Sequence, residues 1–247
     1  MLSKISASGI GELLTGVKTA ESYLLKKALE NLGIKEDFTT KAMEHGIINQ
    51  YEAFELLLKD KFTWHDEYTP INDYCGAATD CKNETTVCDI KCNFYIDTFL
   101  EQVKKLPKKY YYQVQMQMIA EKVEQGIILL YLTSSELDLY GNKIEYPYPL
   151  EDRNFIHEIK KDLEAEDRIM NAALNGNKIL EHWISVLQSC KVMERDEYFY
   201  NQMQGGETYR KLKTAASIEN TIKKAFRVDN EFYYEIHWIR QNRNNRR

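Results

Sequence analysis

The residues best suited to chemistry are two aspartates and a lysine near the middle of the chain, Asp80, Asp89 and Lys91. If residues 87–92 form a strand, Asp89 and Lys91 share one face, while the neighbouring cysteines and Ile90 share the other. Two carboxylates beside a lysine can bind a hard cation such as Mg²⁺, and the lysine can orient or deprotonate an attacking water. That is the chemistry of metal-assisted phosphodiester hydrolysis. On spacing alone, a plain salt bridge is the better explanation.

Periodicity and turn residues predict the helices and strands around these residues. The expected helices carry apolar residues at helical spacing and cover 8–32, 39–59, 108–123 and 152–188, the last with a break at 175–176. Gly33 and Gly126 are expected to end the first and third of them. Segment 61–100 is rich in turn residues and short strand-like runs, and 127–133 reads as a buried strand. Helices around a small central sheet indicate an α/β core.

Five segments, in order over roughly residues 5–135, resemble the lambda-exonuclease / YqaJ-like viral recombinase family, a branch of the PD-(D/E)XK nuclease superfamily. Each match is modest alone, but the order and spacing make the set specific. The segments are ISASGIG (5–11), GIINQYEA (46–53), GAATD (76–80), DIKCNF (89–94) and YYQVQMQM (111–118). The resemblance implies a PD-(D/E)XK, restriction-endonuclease-like core, a small mixed sheet flanked by helices, over residues 1–190. Residues 191–247 would be a C-terminal extension.

The activity that the resemblance implies is digestion of one strand of double-stranded DNA from its end, in the 5′ to 3′ direction. The cofactor would be Mg²⁺, with Mn²⁺ as a substitute. The enzyme would supply single strands to a phage annealing protein during recombination, in the cytoplasm of a bacterial host. The resemblance also implies a homotrimer that acts on DNA ends.

The roles that the family implies fall on particular residues of this chain. Asp80 and Asp89 become the metal-binding acids, with the carbonyl of Ile90 as a further ligand, although the family has Glu where Asp89 stands. Lys91 positions the water, and Gln113 closes the site from the following helix. The candidates for contacts to DNA and its phosphates are Ser8, Lys82 and Gln115.

The acid that the family carries on an earlier helix falls on Gln50. Helical phase supports this placement independently, because Gln50 shares a face with Ala53 and Phe54, while Glu52 is rotated about 200° away. A glutamine can bond to a metal-bound water but brings no charge. Gln50 is therefore expected in the site in place of an acid, and Glu52 outside it.

The 5′-phosphate pocket of the family is only partly matched. Ala78 stands where a second serine belongs, and Asp97 stands where an arginine belongs. A pocket without these donors binds a terminal phosphate poorly. Two alternatives therefore stay open: an endonuclease that uses the same site, and a catalytically weakened nuclease fold that acts as a DNA-binding or interaction module.

The remaining chemistry-bearing residues have structural explanations that we favour. Four of the five cysteines lie at C-x5-C-x6-C-x3-C spacing, at residues 75, 81, 88 and 92. Zinc sites favour C-x2-C, so buried free thiols are expected rather than a metal cluster. The tyrosines at 110–112 are expected to be half-buried rather than stacked on bases. Ser8 is expected to cap the first helix, and His157 and His182 to be ordinary helix residues.

Charge is unevenly distributed along the 247 residues, whose formal net charge is −5. Residues 191–247 carry a net +4 and the first 190 residues a net −9. The arginine-rich end is either a frayed terminus or a phosphate-contacting arm. The extension itself suggests a small DNA-binding unit, a lid or an oligomer contact. With no apolar run of about 18 residues, no membrane contact is expected, and the odd cysteine count fits the cytoplasm.

Overall fold

The computed structural model describes residues 4–33, 41–137 and 143–189. The chain divides into two compact units, the first comprising Met1–Tyr23 and Lys35–Asn177, the second Leu24–Ile34 and Lys178–Arg247. All the residues predicted to carry chemistry belong to the first unit. The predicted boundary at 190 and the extension 191–247 lie outside the described residues.

The described elements alternate between helices and short strands. The helices are α1 (Ala7–Thr15), α2 (Val17–Asn31), α3 (Lys41–Leu57), α4 (Ile96–Lys104), α5 (Lys108–Glu121) and α6 (Leu163–Ser189), with a 3₁₀ turn at Leu150–Arg153. The strands are β1 (Ile5–Ser6), β2 (Thr63–Trp64), β3 (Tyr68–Pro70), β4 (Cys75–Ala78), β5 (Cys81–Lys82), β6 (Thr86–Asn93), β7 (Gln125–Leu132), β8 (Ser135–Leu137), β9 (Lys143–Glu145) and β10 (Asn154–Lys160). None of the described helices is long and apolar enough to cross a membrane.

The main sheet has five strands in the order β10-β7-β6-β5-β2, and its centre is the parallel pair β6 and β7. Their connection runs through α4 and α5, as a parallel pair requires a crossover. β7 is an almost continuous apolar run because both of its faces are covered. A second sheet, β1-β4-β3, and a hairpin of β8 with β9 complete the strands.

The two faces of the main sheet build two apolar clusters. On the α4 and α5 side lie Val87, Phe99, Val114, Met118, Val123, Ile128, Leu130, Leu132 and Ile159. On the α3 side lie Ala53, Phe54, Leu58, Cys81, Cys88, Ile90, Leu129 and Tyr131. The alternation along β6 predicted from the sequence is confirmed, since Val87 faces one cluster while Cys88 and Ile90 face the other.

Helix α1 packs against α5 at close range, and Gly11 makes this approach possible. A Cβ built on Gly11 would lie 2.7 Å from the carbonyl oxygen of Lys109 and 2.9 Å from its Cα. These are backbone atoms, which cannot move aside as a flexible side chain can. The contact fixes the amino end of α5, the helix that carries Gln113, against α1.

The mixed α/β fold was expected and is confirmed, but four predicted elements were wrong in detail. Residues 154–160, predicted as helix, form β10 and pair with β7 along their whole length, so His157 lies on a strand and bonds to the carbonyl of Gln102 at 2.9 Å. β10 is an edge strand on which only Ile159 is buried, so its apolar pattern is weak. Helix α6 then runs through 175–176 without a break.

The other differences come from glycine placement and from a short amphipathic helix. The helix predicted over 8–32 is two helices that meet at Gly16. Helix α5 ends at Lys122, which adopts a left-handed φ of 58°, and not at Gly126. Gly126 lies in β7 against Val114, where a Cβ would be 2.3 Å from a methyl group. The turn-rich segment 61–100 includes the beginning of α4, which buries Phe99.

Candidate active site

Asp89 and Lys91 lie on the face of β6 that points toward α5, and Asp80 lies close enough to interact with the charges of both. Lys91 Nζ lies 2.8 Å from Asp89 Oδ2, and Asp89 is only 1% exposed. Asp80 lies in the bend directly before β5. Its Oδ2 accepts a hydrogen bond of 2.6 Å from the backbone N–H of Ile90. The hairpin of β5 and β6 therefore holds both carboxylates at one place.

Helix α5 supplies two glutamine side chains that hold Asp89. Gln113 donates to Asp89 Oδ1 at 2.6 Å and accepts from Lys91 Nζ at 3.2 Å, so one amide bridges both members of the ion pair. Gln117 donates to the same Asp89 oxygen at 3.1 Å and to the carbonyl of Ala78 at 2.9 Å. Gln117 was not among the predicted site residues. Its spacing of four from Gln113 places it on the same helix face and could have identified it.

Gln50 enters the site from α3, as its helical phase predicts. Its Nε2 donates to the carbonyl of Ile90 at 3.1 Å and lies 3.5 Å from Asp80 Oδ2. Glu52 is exposed and accepts a 2.8 Å bond from the hydroxyl of Tyr131. Glu52 therefore points elsewhere, as expected.

Burial and mutual repulsion dominate the electrostatics of the site. Burial, and then the charge of Asp89, raise the pKa of Asp80 to about 7, against the opposing effects of Lys91 and the Ile90 N–H. Burial alone would lower the pKa of Lys91, but Asp89 and Asp80 outweigh it and raise the pKa, so the ammonium stays charged. The site thus has a surplus of negative charge once Asp80 ionises.

The donor set fits a hard divalent cation. Asp80 Oδ2 and the Ile90 carbonyl oxygen both lie within hydrogen-bonding reach of one atom, Gln50 Nε2, so these two oxygens converge. Asp89 adds a second carboxylate, and Mg²⁺ binds oxygen ligands through one or two carboxylates. A cation would also relieve the repulsion that raises the pKa of Asp80.

The predicted phosphate-binding residues do not form a comparable cluster. Ser8 is exposed and its Oγ lies 3.0 Å from Ser6 Oγ. The predicted capping role of Ser8 is wrong, because α1 begins at Ala7 and the cap is Ser6, whose Oγ accepts from the N–H of Gly9 at 3.3 Å. Lys82 is held by a 2.5 Å ion pair with Glu121.

Gln115 cannot serve as the predicted contact to DNA, because its side chain is only 1% exposed. It is two residues from Gln113 and therefore faces the opposite side of α5. It donates to the carbonyl of Lys160 at 2.8 Å and accepts from the N–H of Asp162 at 3.1 Å. Gln115 thus tethers the segment between β10 and α6, which is a structural role.

The cysteines behave as buried thiols, as expected. Cys75, Cys81 and Cys88 are buried, Cys92 is half-buried, and all four are free. Burial raises the pKa of the Cys88 thiol far above its ordinary value. In the described ranges, no group of three or more His, Cys, Asp or Glu side chains could hold a metal ion. The candidate magnesium site differs in kind, since a backbone carbonyl would complete its two carboxylates.

Comparison with solved structures finds the same fold in known exonucleases. The alkaline exonuclease LHK-Exo from Laribacter hongkongensis aligns with a TM-score of 0.62 at 20% identity, over 78% of this chain and 95% of that one. The same exonuclease in complex with dAMP aligns with a TM-score of 0.63 at 19% identity, over 78% and 95% of the two chains. A phage-related exonuclease from Haemophilus somnus 129PT aligns with a TM-score of 0.63 at 19% identity, over 75% and 96%.

The likeness to these structures confirms the predicted fold class, a mixed α/β core with a small sheet flanked by helices, which this chain shares with these solved exonucleases. No protein-family model matches the sequence, and no curated protein matches it. At about one identical residue in five, the alignment establishes the fold and leaves the activity to be argued from the site.

Proposed function

We propose that this chain is a metal-dependent DNA nuclease of the lambda-exonuclease / YqaJ-like family, hydrolysing phosphodiester bonds of double-stranded DNA. The observation that carries the proposal is the meeting of Asp80, Asp89 and Lys91 on one hairpin, in a fold shared with solved exonucleases. A plain salt bridge would need neither the second carboxylate, that of Asp80, nor its convergence with the Ile90 carbonyl.

Asp80, Asp89 and the carbonyl of Ile90 would hold Mg²⁺, or Mn²⁺ in its place. When bound, the ion would lower the pKa of a water and neutralise charge on the scissile phosphate. Gln50 already lies beside two of these ligands. By turning its amide it can present its oxygen as an acceptor, although it adds no negative charge.

Lys91 would orient the attacking water and compensate charge on the phosphate. Its raised pKa means that it does so as an ammonium and not as a free base. Gln113 fixes the ammonium through its carbonyl oxygen and fixes Asp89 through its amide nitrogen. The relative positions of the acid and the lysine are therefore set before substrate arrives, which lowers the reorganisation needed for the reaction.

Cleavage could begin at a DNA end or within the duplex, and the partly matched phosphate pocket bears on which of the two occurs. Digestion from a DNA end in the 5′ to 3′ direction is the mode that the family resemblance favours. A second candidate is endonucleolytic cleavage at the same site. Ala78 and Asp97 favour it, because they supply no donor to a terminal phosphate, and Lys82 is occupied by Glu121.

The test is degradation of linear duplex DNA with Mg²⁺ by the wild type and by Lys91→Ala, each checked for folding by thermal unfolding. We expect the wild type to degrade DNA and the variant to lose at least about 10²-fold in rate. Equal rates, or no cleavage with Mg²⁺ or Mn²⁺, would refute the proposal. Binding without cleavage would favour the weakened binding module.

A covalently closed circular duplex separates the two modes of cleavage. An exonuclease leaves the circle intact and degrades it only after it is linearised, whereas an endonuclease nicks it. Supply of single strands to a phage annealing protein, and a homotrimeric assembly, are further parts of the proposal that rest on the family resemblance.

A further inference from the structure

Residues 104–109, here called the basic turn, place four lysines on the surface between α4 and α5. The sequence there is KKLPKK, in a chain whose formal net charge is −5. All four side chains, Lys104, Lys105, Lys108 and Lys109, are exposed. A charge run is usually a solvated face, so the case for a binding surface depends on three further observations.

The first observation is that the basic turn is anchored. Leu106, between the two lysine pairs, packs against the apolar cluster under α4 and α5, as do Val103 before it and Tyr110 after it. Pro107 then fixes the backbone at the beginning of α5. The lysines on either side of Leu106 are therefore presented outward from a fixed backbone.

The second observation is that the charges oppose the helix dipole. Lys108 and Lys109 form the first turn of α5, where the dipole is positive and acidic residues are preferred, yet that turn has no acidic residue. Among the described residues, Lys104, Lys105 and Lys108 form no ion pair, and Lys109 has only a loose one, 3.9 Å from Glu12. Stability of the free protein does not explain this arrangement, whereas an anion at this helix end would be favoured.

The third observation links the basic turn to the candidate active site. Lys109 and Gln113 are four residues apart and share a face of α5. The Tyr110 ring has Lys109 Nζ 5.3 Å and Lys91 Nζ 4.9 Å from its centroid. The two ammonium groups are therefore no more than about 10 Å apart, close enough for neighbouring phosphates of one DNA strand to contact both.

We propose that the basic turn binds the phosphate backbone of the DNA strand that leads into the candidate active site. The inference deepens the proposed nuclease function and rests on it. The ligand would be a run of phosphates next to the one that is cleaved, bound without regard to base sequence. This surface would supply positive charge near the site of an otherwise acidic chain. It would bind DNA in addition to any pocket for a terminal phosphate.

The test is DNA binding without chemistry, followed by cleavage. A labelled duplex is titrated with protein in EDTA, and fluorescence anisotropy gives Kd at several salt concentrations. The variant combines Lys104→Ser, Lys105→Ser and Lys108→Ser. The matched control combines Lys59→Ser, Lys61→Ser and Lys122→Asn, which removes three exposed lysines away from the basic turn. The Asn suits the left-handed backbone at 122.

We expect the basic-turn variant to bind DNA about tenfold more weakly. The slope of log Kd against log salt concentration should fall by about 0.9 for each phosphate that the variant no longer neutralises. The control should stay within about twofold of the wild type with an unchanged slope. With Mg²⁺, the basic-turn variant should raise KM and leave kcat unchanged, because its lysines do not touch the reacting atoms. Equal Kd and slope in the variant and the control would overturn the inference.

Failure of the inference is distinguishable from failure of the proposed function. If the wild type cleaves DNA and the basic-turn variant binds like the control, the inference is wrong and the nuclease assignment stands. If the wild type binds DNA through the basic turn and cleaves none, the inference stands and the nuclease assignment is wrong. Absence of any DNA binding by the wild type would refute the inference directly.

Discussion

The active-site cluster and the serine turn at residues 6–8 differ in how completely they are built. Asp89 and Lys91 are held by each other and by Gln113, and Asp80 is held by the backbone N–H of Ile90. The serine turn offers an exposed Ser8 whose only described hydrogen-bonding partner is Ser6, and Ala78 and Asp97 replace the family's other donors.

The contrast implies that, in the proposed nuclease, cleavage of the phosphodiester bond and recognition of a DNA end would be separable. A cleavage site needs converging ligands held before the reaction, and those are present. A terminal-phosphate pocket needs several N–H, O–H or guanidinium donors around one group. Of the residues at the positions that correspond to the family's pocket, Ser8 supplies such a donor, whereas Ala78 and Asp97 do not. Substitutions in each region can show how far the two are independent.

A pair of substitutions, one in each region, tests the contrast directly. Asp89→Asn removes a charged ligand from the cluster and should lower the rate of duplex degradation at least about 10³-fold. Ser8→Ala should change the same rate less than about threefold, because a pocket short of donors contributes little binding energy. Initial rates on linear duplex with saturating Mg²⁺ measure both. A Ser8→Ala loss as large as that of Asp89→Asn would show that end recognition is intact and would refute the contrast.

Helix α5 carries two buried glutamines, Gln115 and Gln117, whose side chains bond to different parts of the molecule. Gln117→Leu removes a hydrogen bond to Asp89 and should weaken metal binding about 10-fold or more, as is usual when a residue that holds a metal ligand is removed. Gln115→Leu removes bonds to Lys160 and Asp162 and none to Asp89, so it should lower stability and leave metal affinity unchanged. Calorimetric titration with Mn²⁺, together with thermal unfolding of both variants, distinguishes the cases. Equal metal affinities would show that Gln117 is merely structural.

Gln50 brings no negative charge to the site, and a substitution at this position can add one. Gln50→Glu adds a carboxylate beside Asp80 and the Ile90 carbonyl and should tighten Mn²⁺ binding about tenfold, since ligand charge sets affinity. Glu52→Gln makes the opposite change two residues away, where the side chain bonds to Tyr131, and should leave metal affinity unaltered. Calorimetry of the two variants provides the measurement. A larger response in Glu52→Gln than in Gln50→Glu would overturn the placement of α3 in the site.

Much of the active-site cluster could be predicted from local periodicity. Strand alternation correctly placed Asp89 and Lys91 on one face, and helical phase correctly placed Gln50 inward and Glu52 outward. These features depend only on the geometry of one strand or one helix. The fold class followed because five motifs in order constrain the topology more than any single one.

One error arose where tertiary contacts decide the outcome, and others arose where helical phase was not applied. β10 was predicted as helix because it is an edge strand whose pairing with β7, and not its own pattern, makes it a strand. Gln115 was wrongly predicted to contact DNA because it shares a motif with Gln113, although helical phase places the two on different faces of α5. Gln117 was not predicted, although its spacing of four from Gln113 places it on the same face of α5; its bonds to Ala78 and Asp89 depend on the tertiary fold.

The pH dependence of protein stability tests whether Asp80 and Asp89 form a cation-binding site. The folded-state pKa of Asp80 is about 7 and its ordinary value is 3.8, because burial and Asp89 disfavour ionisation. The metal-free folded protein therefore keeps a proton that the unfolded chain has lost, and its stability falls as pH rises from about 4 to about 7. Asp80→Asn stays neutral and avoids this loss.

Without divalent metal, Asp80→Asn should therefore be more stable than the wild type, by on the order of 1 kcal/mol more at pH 8 than at pH 5. Asp97→Asn is the matched control, since Asp97 is exposed at the beginning of α4, and it should show no such pH dependence. Thermal unfolding in EDTA at the two pH values measures the differences. Added Mg²⁺ at pH 8 should stabilise the wild type and not Asp80→Asn, because only the wild type then offers both carboxylates. A wild type that gains stability between pH 5 and 8 relative to Asp80→Asn would show that Asp80 is an ordinary ionised salt-bridge partner and that its carboxylate was not held ready for a cation.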